Sequence, residues 1–541
     1  PKSRSRPAAP VVTSIALPLG SRPQLSRAAV YGARYLIAFA VTLASVLELV
    51  DTSIVNVAIP HMMGNLGATL EEIAWVSTGY IVANVIVLPL TGWLSERLGR
   101  RNYYTGSIVL FTVASYFCGN AGTLESLVFW RIVQGIGGGA LISTAQAILF
   151  DVFPREEAGT AMAIFGMGVM VGPTLGPTLG GWITDNYAWP WIFYINIPLG
   201  ILAGWLTWRY VPEPDHHIDM PDRVDWKGLA LLILGIGALQ ILLERGESHD
   251  WFASREIVTE AAVAVTALLL FVWHELRTPF PVVNLRILAN RQLATGVVFG
   301  LLLGFALYAS VFALPVFLQN LLGYTAWDTG KVILPGALAS AVTMAVAGKF
   351  NARIDARLSI TAGVLLFTYS MWQHYHFTME LGMGDLLAPM ILRGVAMGLI
   401  FVPLTAVTVA DLSPKLMAQG TGMFNLSRQL GGSFGIAITA TLLTRFTEQA
   451  RDALRPHLSM TDPGPRQWLA GVEQLFMRQG GTRGEAALKA QAALEGLVHQ
   501  QASVIAFERV FLTMGLLFLL GLPLLLLFRT GRAHTGAGPA H

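Results

Sequence analysis

The chain has 541 residues, of which 54% are hydrophobic and 13% charged, with a mean hydropathy of +0.56 and a formal net charge of +3. A soluble domain carries about 25% charged residues, so this composition excludes an ordinary water-soluble enzyme and predicts an integral membrane protein. A single cysteine, Cys118, excludes a disulfide framework and a cysteine cluster for zinc or iron–sulfur chemistry, and the basic residues read as topological signals rather than a nucleic-acid patch.

A helix crosses a bilayer with about 20 apolar residues. In chain order, such stretches run approximately 35–59, 73–95, 102–121, 125–150, 158–184, 190–211, 226–244, 256–274, 294–320, 329–350, 358–377, 386–411, 417–445 and 503–529, fourteen in all. The tail before them, residues 1–34, holds Lys2, Arg4, Arg6, Arg22, Arg27 and Arg34, and its VVTSIALPL run is too short to span. No cleaved signal is expected, so the first span is retained. Arg97, Arg100, Arg101, Arg223, Lys227, Arg277, Arg286, Arg291, Lys349, Arg353 and Arg357 all fall on one side. The short connections on the other side carry Arg245, Arg255 and Lys331. The positive-inside rule then puts both termini in the cytoplasm.

The first span, YLIAFAVTLASVLELVDTSIVNVAI, contains Glu48 and Asp51. Ionisable groups at membrane depth mark functional sites by default, and a spacing of three sets both acids on roughly one helix face. They are the candidate proton carriers. Asp51 is also open to a structural role, bonding nearby backbone or Asn56. Arg131, a turn or two inside the fourth span, is either an arginine snorkelling to the interface or a partner that lowers a carboxylate's pKa.

The chain repeats itself at long range. Gly92-Trp93-Leu94-Ser95-Glu96-Arg97-Leu98-Gly99-Arg100-Arg101 follows the second span, and Gly348-Lys349-Phe350-Asn351-Ala352-Arg353-Ile354-Asp355-Ala356-Arg357 follows the tenth, with Gly, Arg and Arg at the same offsets. Asp151-Val152-Phe153-Pro154 and Asp411-Leu412-Ser413-Pro414 likewise follow spans with an early arginine, Arg131 and Arg393. The predicted fold is therefore an all-α integral membrane protein of two six-helix bundles, residues 35–211 and 294–529, with two additional transmembrane helices, residues 226–274, between them. Secondary transporters are often built this way, with substrate near the midplane between the repeats. The external connection 446–502 combines a turn at Ser459 to Pro465 with an Ala-rich helical stretch running into the last span. It reads either as a solvated loop with a helical extension or as a docking surface. Residues 530–541 form a second cytoplasmic tail.

In the fifth span Gly168, Gly172, Gly176 and Gly180 recur every four residues, with Gly181, Pro173 and Pro177 beside them. Such a stripe lets a neighbouring helix approach closely, and each proline frees a carbonyl and bends the helix. In the Gly92 loop, glycine is expected to make a tight turn that sets Arg97, Arg100 and Arg101 where Glu96 can pair with them. Other polar residues at membrane depth are costly unless clustered or wet: Asn84, Gln134, Tyr308, Gln319, Arg393, Asn425, Arg428 and Gln429. Asn425, Arg428 and Gln429 share one helical face and, with the rest, are candidate substrate contacts; Arg393 and Arg428 suit anionic amphiphiles. No Walker-type loop is present, so ATP is not expected to drive transport.

Several of these segments carry a resemblance. GWLSERLGRR is similar to the cytoplasmic signature of the major facilitator superfamily, LVFWRIVQGIGGG to its fourth-span motif, and GVMVGPTLGPTLGGWI to its fifth-span antiporter motif. With LELVDTSIVNVAIP, NLSRQLGGSFG and DNYAWPWIFYINIPLG, residues 30 to 530 resemble the fourteen-span drug:proton antiporters of the EmrB/QacA type. The resemblance implies a proton-driven multidrug exporter in a bacterial inner membrane, needing no cofactor. It further implies a periplasmic adaptor of the EmrA membrane-fusion type and a TolC-like outer-membrane channel. Asp51 falls on the family's first-span acid, and Arg131 on an arginine implicated in proton coupling. Gly92, Glu96, Arg97 and Arg101 correspond to a conformational latch, and the fifth-span motif favours export over uptake. Glu48 departs from the family, where an uncharged polar residue is usual, and is therefore the candidate for contacting a cationic substrate or carrying a second proton. An uptake symporter, or a narrower transporter of a fatty acid or metabolite, remains the alternative.

Overall fold

Backbone amides inside hydrocarbon must be satisfied within their own segment, and this chain meets that demand with helices; no strand occurs among the described residues. The computed structural model describes residues 27–213, 224–350, 353–458 and 463–528. The first half comprises α1 (Arg34–Leu66), α2 (Glu71–Leu98, with a 3-10 turn at Leu88–Leu90), α3 (Arg100–Gly119), α4 (Leu124–Val152), α5 (Ala158–Asn186) and α6 (Trp191–Tyr210). An inserted pair follows, α7 (Trp226–Arg245) and α8 (Arg255–Arg277). The second half is α9 (Arg291–Asn320), α10 (Ala326–Phe350), α11 (Ala356–His374), α12 (Met383–Val409), α13 (Met417–Leu454) and α14 (Arg483–Leu519).

A helix stands at every position expected from hydropathy. Among the described residues, eleven stretches are long and apolar enough to cross a membrane on length and composition alone. The others, α3, α11 and α13, have that character diluted by arginine-bearing starts or by the polar run AQGTGMFNLSRQLGGS. Local signals fix several boundaries. Thr69 accepts from the Glu72 amide at 3.3 Å while Glu72 accepts from the Thr69 amide at 2.9 Å, a capping box that starts α2. Thr482 and Glu485 repeat the device ahead of α14.

The expected turn at Gly92 is not there. Gly92 is helical, and the chain turns at Gly99, whose φ of +82° lies in the left-handed region that favours glycine. A Cβ at Gly92 would instead meet the backbone of Gln419 on α13, so this glycine serves a close approach between the two halves.

Within the first half, α1 packs on α5 and α6, and α4 on α2 and α3; within the second, α9 packs on α13, and α12 on α10 and α11. The stripe on α5 works as the spacing predicts: Gly168 faces Thr42, Gly172 faces Leu49, and Gly176 and Gly180 face Ser53 and Ile54, all on α1. Gly181 is half-buried beside them, and α5 runs as one helix through Pro173 and Pro177.

The halves meet along two seams. One is α5 against α10, antiparallel over their length, with Gly348 beside Gly159, Gly166 beside Met344 and Gly330 beside Thr178. The other is α2 against α13, whose contacts lie mostly toward the arginine-rich end, where Gly422 lies against Leu88 and Thr91. At about 1.5 Å per residue, α13 and α14 are each roughly 55 Å long against a hydrocarbon core of about 30 Å, so both project beyond it. The helix Pro463–Arg478, none of whose residues is buried, packs against α14 there. Of the turn expected at Ser459 to Pro465, residues 459–462 lie outside the described residues.

Candidate proton and substrate site

Asp51 lies at 0% exposure inside the first half, and every donor it needs is present. The Arg131 guanidinium meets its Oδ2 at 2.5 Å, while Gln134 and Asn196 donate to its Oδ1 at 2.9 and 2.8 Å. Arg131 also donates to the Val76 carbonyl at 3.0 Å and to Gln134 Oε1 at 2.7 Å, and lies 4.1 Å from the Tyr80 ring centroid. Ser115 accepts from Gln134 at 2.7 Å, joining α3 to the network. Helices α1, α3, α4 and α6 therefore converge on one carboxylate, with α2 supplying a carbonyl and a ring. A buried ion pair repays desolvation only when its remaining hydrogen-bonding positions are filled, which is the arrangement here.

Arg131, at 1% exposure, is thus a buried partner and not a snorkelling side chain. Gln134 belongs to the Asp51 network, away from any substrate cavity. Asn56 does not bond Asp51; it accepts from Ser77 at 3.1 Å. Ser115 and Asn196 escaped the sequence reading, their only signal being single polar residues in apolar spans.

Glu48, one turn away, faces elsewhere. Its Oε1 accepts from Asn84 at 2.9 Å, and its Oε2 is buried without a partner. Glu48 and Asn84 line a small cavity with Leu88, Gly138, Gly139, Ile142, Asn425, Arg428 and Gln429, so the first and second halves both contribute walls. Its volume of about 10 Å3 is near the minimum for one water, so the conformation is closed around it. Arg428 is buried with Nε and Nη1 unpartnered, its guanidinium 5.6 Å from the Phe401 ring. Asn425 donates to Gln146 of α4 at 2.6 Å, a bond across the halves, and the Tyr308 hydroxyl donates to Gln429 at 3.2 Å. Gly138 keeps the space open, since a Cβ there would lie 2.7 Å from the Tyr80 hydroxyl and 3.4 Å from Glu48 Cγ.

Four expected lining residues fall outside this cavity: Gln134 in the Asp51 network, Tyr308, which bonds Gln429 of its wall, Arg393 and Gln319. Arg393 is buried within the second half, donating to the Ser310 carbonyl at 3.4 Å, and Gln319 is exposed near the end of α9. At the arginine-rich end Glu96 does not pair with its neighbouring arginines. It accepts from Gln419 of the opposite half at 3.1 Å. Arg100 pairs with Asp151 at 3.0 Å, Arg101 approaches Glu213 at 3.9 Å, and Arg97 lies 5.5 Å from the Trp93 ring. Helix geometry explains the change: with Gly92 helical, Glu96 and Gly92 fall on one face, turned toward α13.

The Major Facilitator Superfamily model matches residues 41–436. The chain belongs to that superfamily. It is 34% identical over 497 residues to the fatty acid resistance protein FarB of Neisseria gonorrhoeae, covering 92% of this chain and 96% of that one. It is 35% identical over 441 residues to the multidrug export protein EmrB of Escherichia coli K12, covering 81% and 86%. The fold matches the human organic anion transporter MFSD10 (TETRAN) with a TM-score of 0.59 at 14% identity, covering 91% of this chain and 99% of that one. It also matches a bacterial homologue of the lysosomal transporter Spinster, with a TM-score of 0.51 at 18% identity over 95% and 100%. The fold expected from the internal repeat and the fold found are the same.

Proposed function

We propose that this chain is a proton-driven antiporter that exports hydrophobic and amphiphilic toxic compounds across a bacterial inner membrane, with both termini in the cytoplasm and no cofactor. The observation that carries the reading is the division of labour between two buried acids three residues apart. Asp51 is held by an arginine and two amides; Glu48 has an unpartnered oxygen at a cavity between the halves. Antiport needs proton and cargo to exclude one another, and by linkage each must weaken the other's binding. A cargo group that needs Glu48 ionised, whether a cation or a hydrogen-bond donor, competes with the proton directly. Asp51 and Arg131 then form a second charge centre whose pairing can differ between inward- and outward-facing states.

The EmrB relatives, multidrug export proteins by name, support a broad cargo range and export. On the same grounds, a periplasmic EmrA-like adaptor and a TolC-like channel are the partners we assign, with the projecting ends of α13 and α14 and the helix Pro463–Arg478 as the surface offered to the adaptor. Arg428 and the FarB relative favour a second reading, a narrower exporter of fatty acids. Proteoliposomes with an imposed pH gradient test both. Ethidium, a neutral lipophile and oleate should all move if the first reading holds, and oleate alone if the second does. No movement of any would refute export.

A further inference from the structure

Toward the end opposite the arginine-rich loops, α2 and α13 part, and the inserted helix α7 fills the space between them. On the α2 side the contacts are apolar packing: a Cβ at Gly237 would lie 3.8 Å from Ile86 and 3.9 Å from Val82. On the α13 side the apolar contact is narrower and hydrogen bonds are added to it. Gln240, fully buried, accepts from Ser433 at 3.0 Å. The end of α7 and the α7–α8 loop continue the bridge in both directions. Arg245 lies 5.5 Å from the Trp75 ring and His249 is 3.8 Å from Glu71, both on α2, while Trp251 donates to Thr441 at 2.9 Å and Glu247 accepts from Thr444 at 2.7 Å, both on α13.

The loop is built for this reach. Asp250 and Trp251 hold φ values of +54° and +51°, a left-handed conformation that non-glycine residues keep only where their surroundings impose it. The Trp251 ring lies over Gly246, where a Cβ would be 2.5 Å from the indole, and the Trp251 amide donates to the Gly246 carbonyl at 2.7 Å. The turn thus aims the indole at α13.

We propose that the inserted pair α7–α8 is a strap, carried by the first half through α2 and latched to α13 by Ser433, Thr441 and Thr444, which seals the cleft between the halves and releases α13 once in each transport cycle. Alternating access moves one half against the other, so a helix lodged between them must part from one side. The α2 side is the broader apolar contact and resists sliding, whereas the α13 side is narrower and held by three hydrogen bonds that exchange readily for water. This inference rests on the exporter reading only in that the two halves move.

Disulfide locking tests it, with buried Cys118 retained. Oxidising the pair Gln240→Cys and Ser433→Cys fixes the strap to α13 and should cut pH-driven efflux about tenfold, with recovery on reduction, whereas oxidising Gly237→Cys with Val82→Cys fixes it to α2 and should leave efflux within about twofold. Equal efflux from both locked forms, or loss only in the α2-locked form, would overturn the proposal. Spin labels on Glu247→Cys and Thr444→Cys read the latch whatever the cargo and whether or not the locked variants transport. A second, longer distance population on changing pH or adding ethidium is expected, and a single invariant distance counts against a releasing strap. Absent efflux with a moving latch would instead refute the exporter reading alone.

Discussion

The guanidinium of Arg131 lies 2.5 Å from the carboxylate of Asp51, with side-chain exposures of 1% and 0%. Removing either charge leaves the other buried and uncompensated, at a cost of about 3–5 kcal/mol. Asp51→Asn and Arg131→Gln should therefore each lower the thermal midpoint and reduce proton-driven efflux at least about tenfold. The double variant removes both charges and should regain most of the lost stability without regaining transport. A double-mutant cycle on melting temperature, read beside ethidium efflux, checks this; strictly additive losses would show that the pair is not coupled.

Gly138 is a tight wall of the cavity. Gly138→Ala sets a methyl 2.7 Å from the Tyr80 hydroxyl and 3.1 Å from Asn84 Nδ2, displacing the amide that bonds Glu48. Overpacking of this kind costs about 1–3 kcal/mol, and the expected result is severely reduced efflux from protein that still reaches the membrane. Gly106→Ala is the matched control, because a Cβ there meets nothing within 4 Å. Loss of efflux in the control would remove the specificity of the result.

Glu96 and Gln419 join the two halves at the arginine-rich end. Gln419→Glu sets two carboxylates face to face and disfavours this closed arrangement, while Gln419→Lys supplies an ion pair and favours it. A bias of about 1.4 kcal/mol changes the ratio of the two states tenfold. Both variants should slow turnover, yet their accessibility should change in opposite senses. Maleimide labelling of a cysteine placed beside Gly422 should rise in Gln419→Glu and fall in Gln419→Lys.

Much of this was legible in the sequence, and the exceptions share a cause. Span count follows from hydropathy, since a helix in lipid is a one-dimensional signal, and duplication and the inserted pair from motifs that recur at fixed offsets. Glu48, Asp51 and Arg131 stood out as charges in apolar runs, and Gly172, Gly176 and Gly180 as a stripe. Ser115 and Asn196 did not, because their significance arises only where α3 and α6 converge on α1. Gly92 was misread for the same reason: a glycine that permits a turn and one that admits a neighbour look alike until Gln419 is placed opposite. Arg393, matched to Arg131 by the repeat, lacks a carboxylate partner in the second half among the described residues, so symmetry of sequence did not carry symmetry of charge.

The last expectation concerns the sign of the pH effect at Glu48. If cargo and proton compete there, purified protein should bind ethidium more weakly as pH falls, because protonation removes the negative charge that holds the cation. Where Glu48 is protonated before the cation arrives, binding should release protons, measurable as buffer-dependent heat in calorimetry, and the release should vanish at high pH, where the carboxylate is already ionised. Glu48→Gln, neutral at every pH, should bind ethidium weakly throughout, with no pH dependence. It should keep its melting temperature, since the amide can still accept from Asn84. Arg428→Gln removes a like charge from the same cavity and should bind ethidium more tightly than the parent while losing affinity for oleate. A pH dependence that survives in Glu48→Gln would move the competing proton to Asp51, whose carboxylate would then have to leave Arg131 during transport.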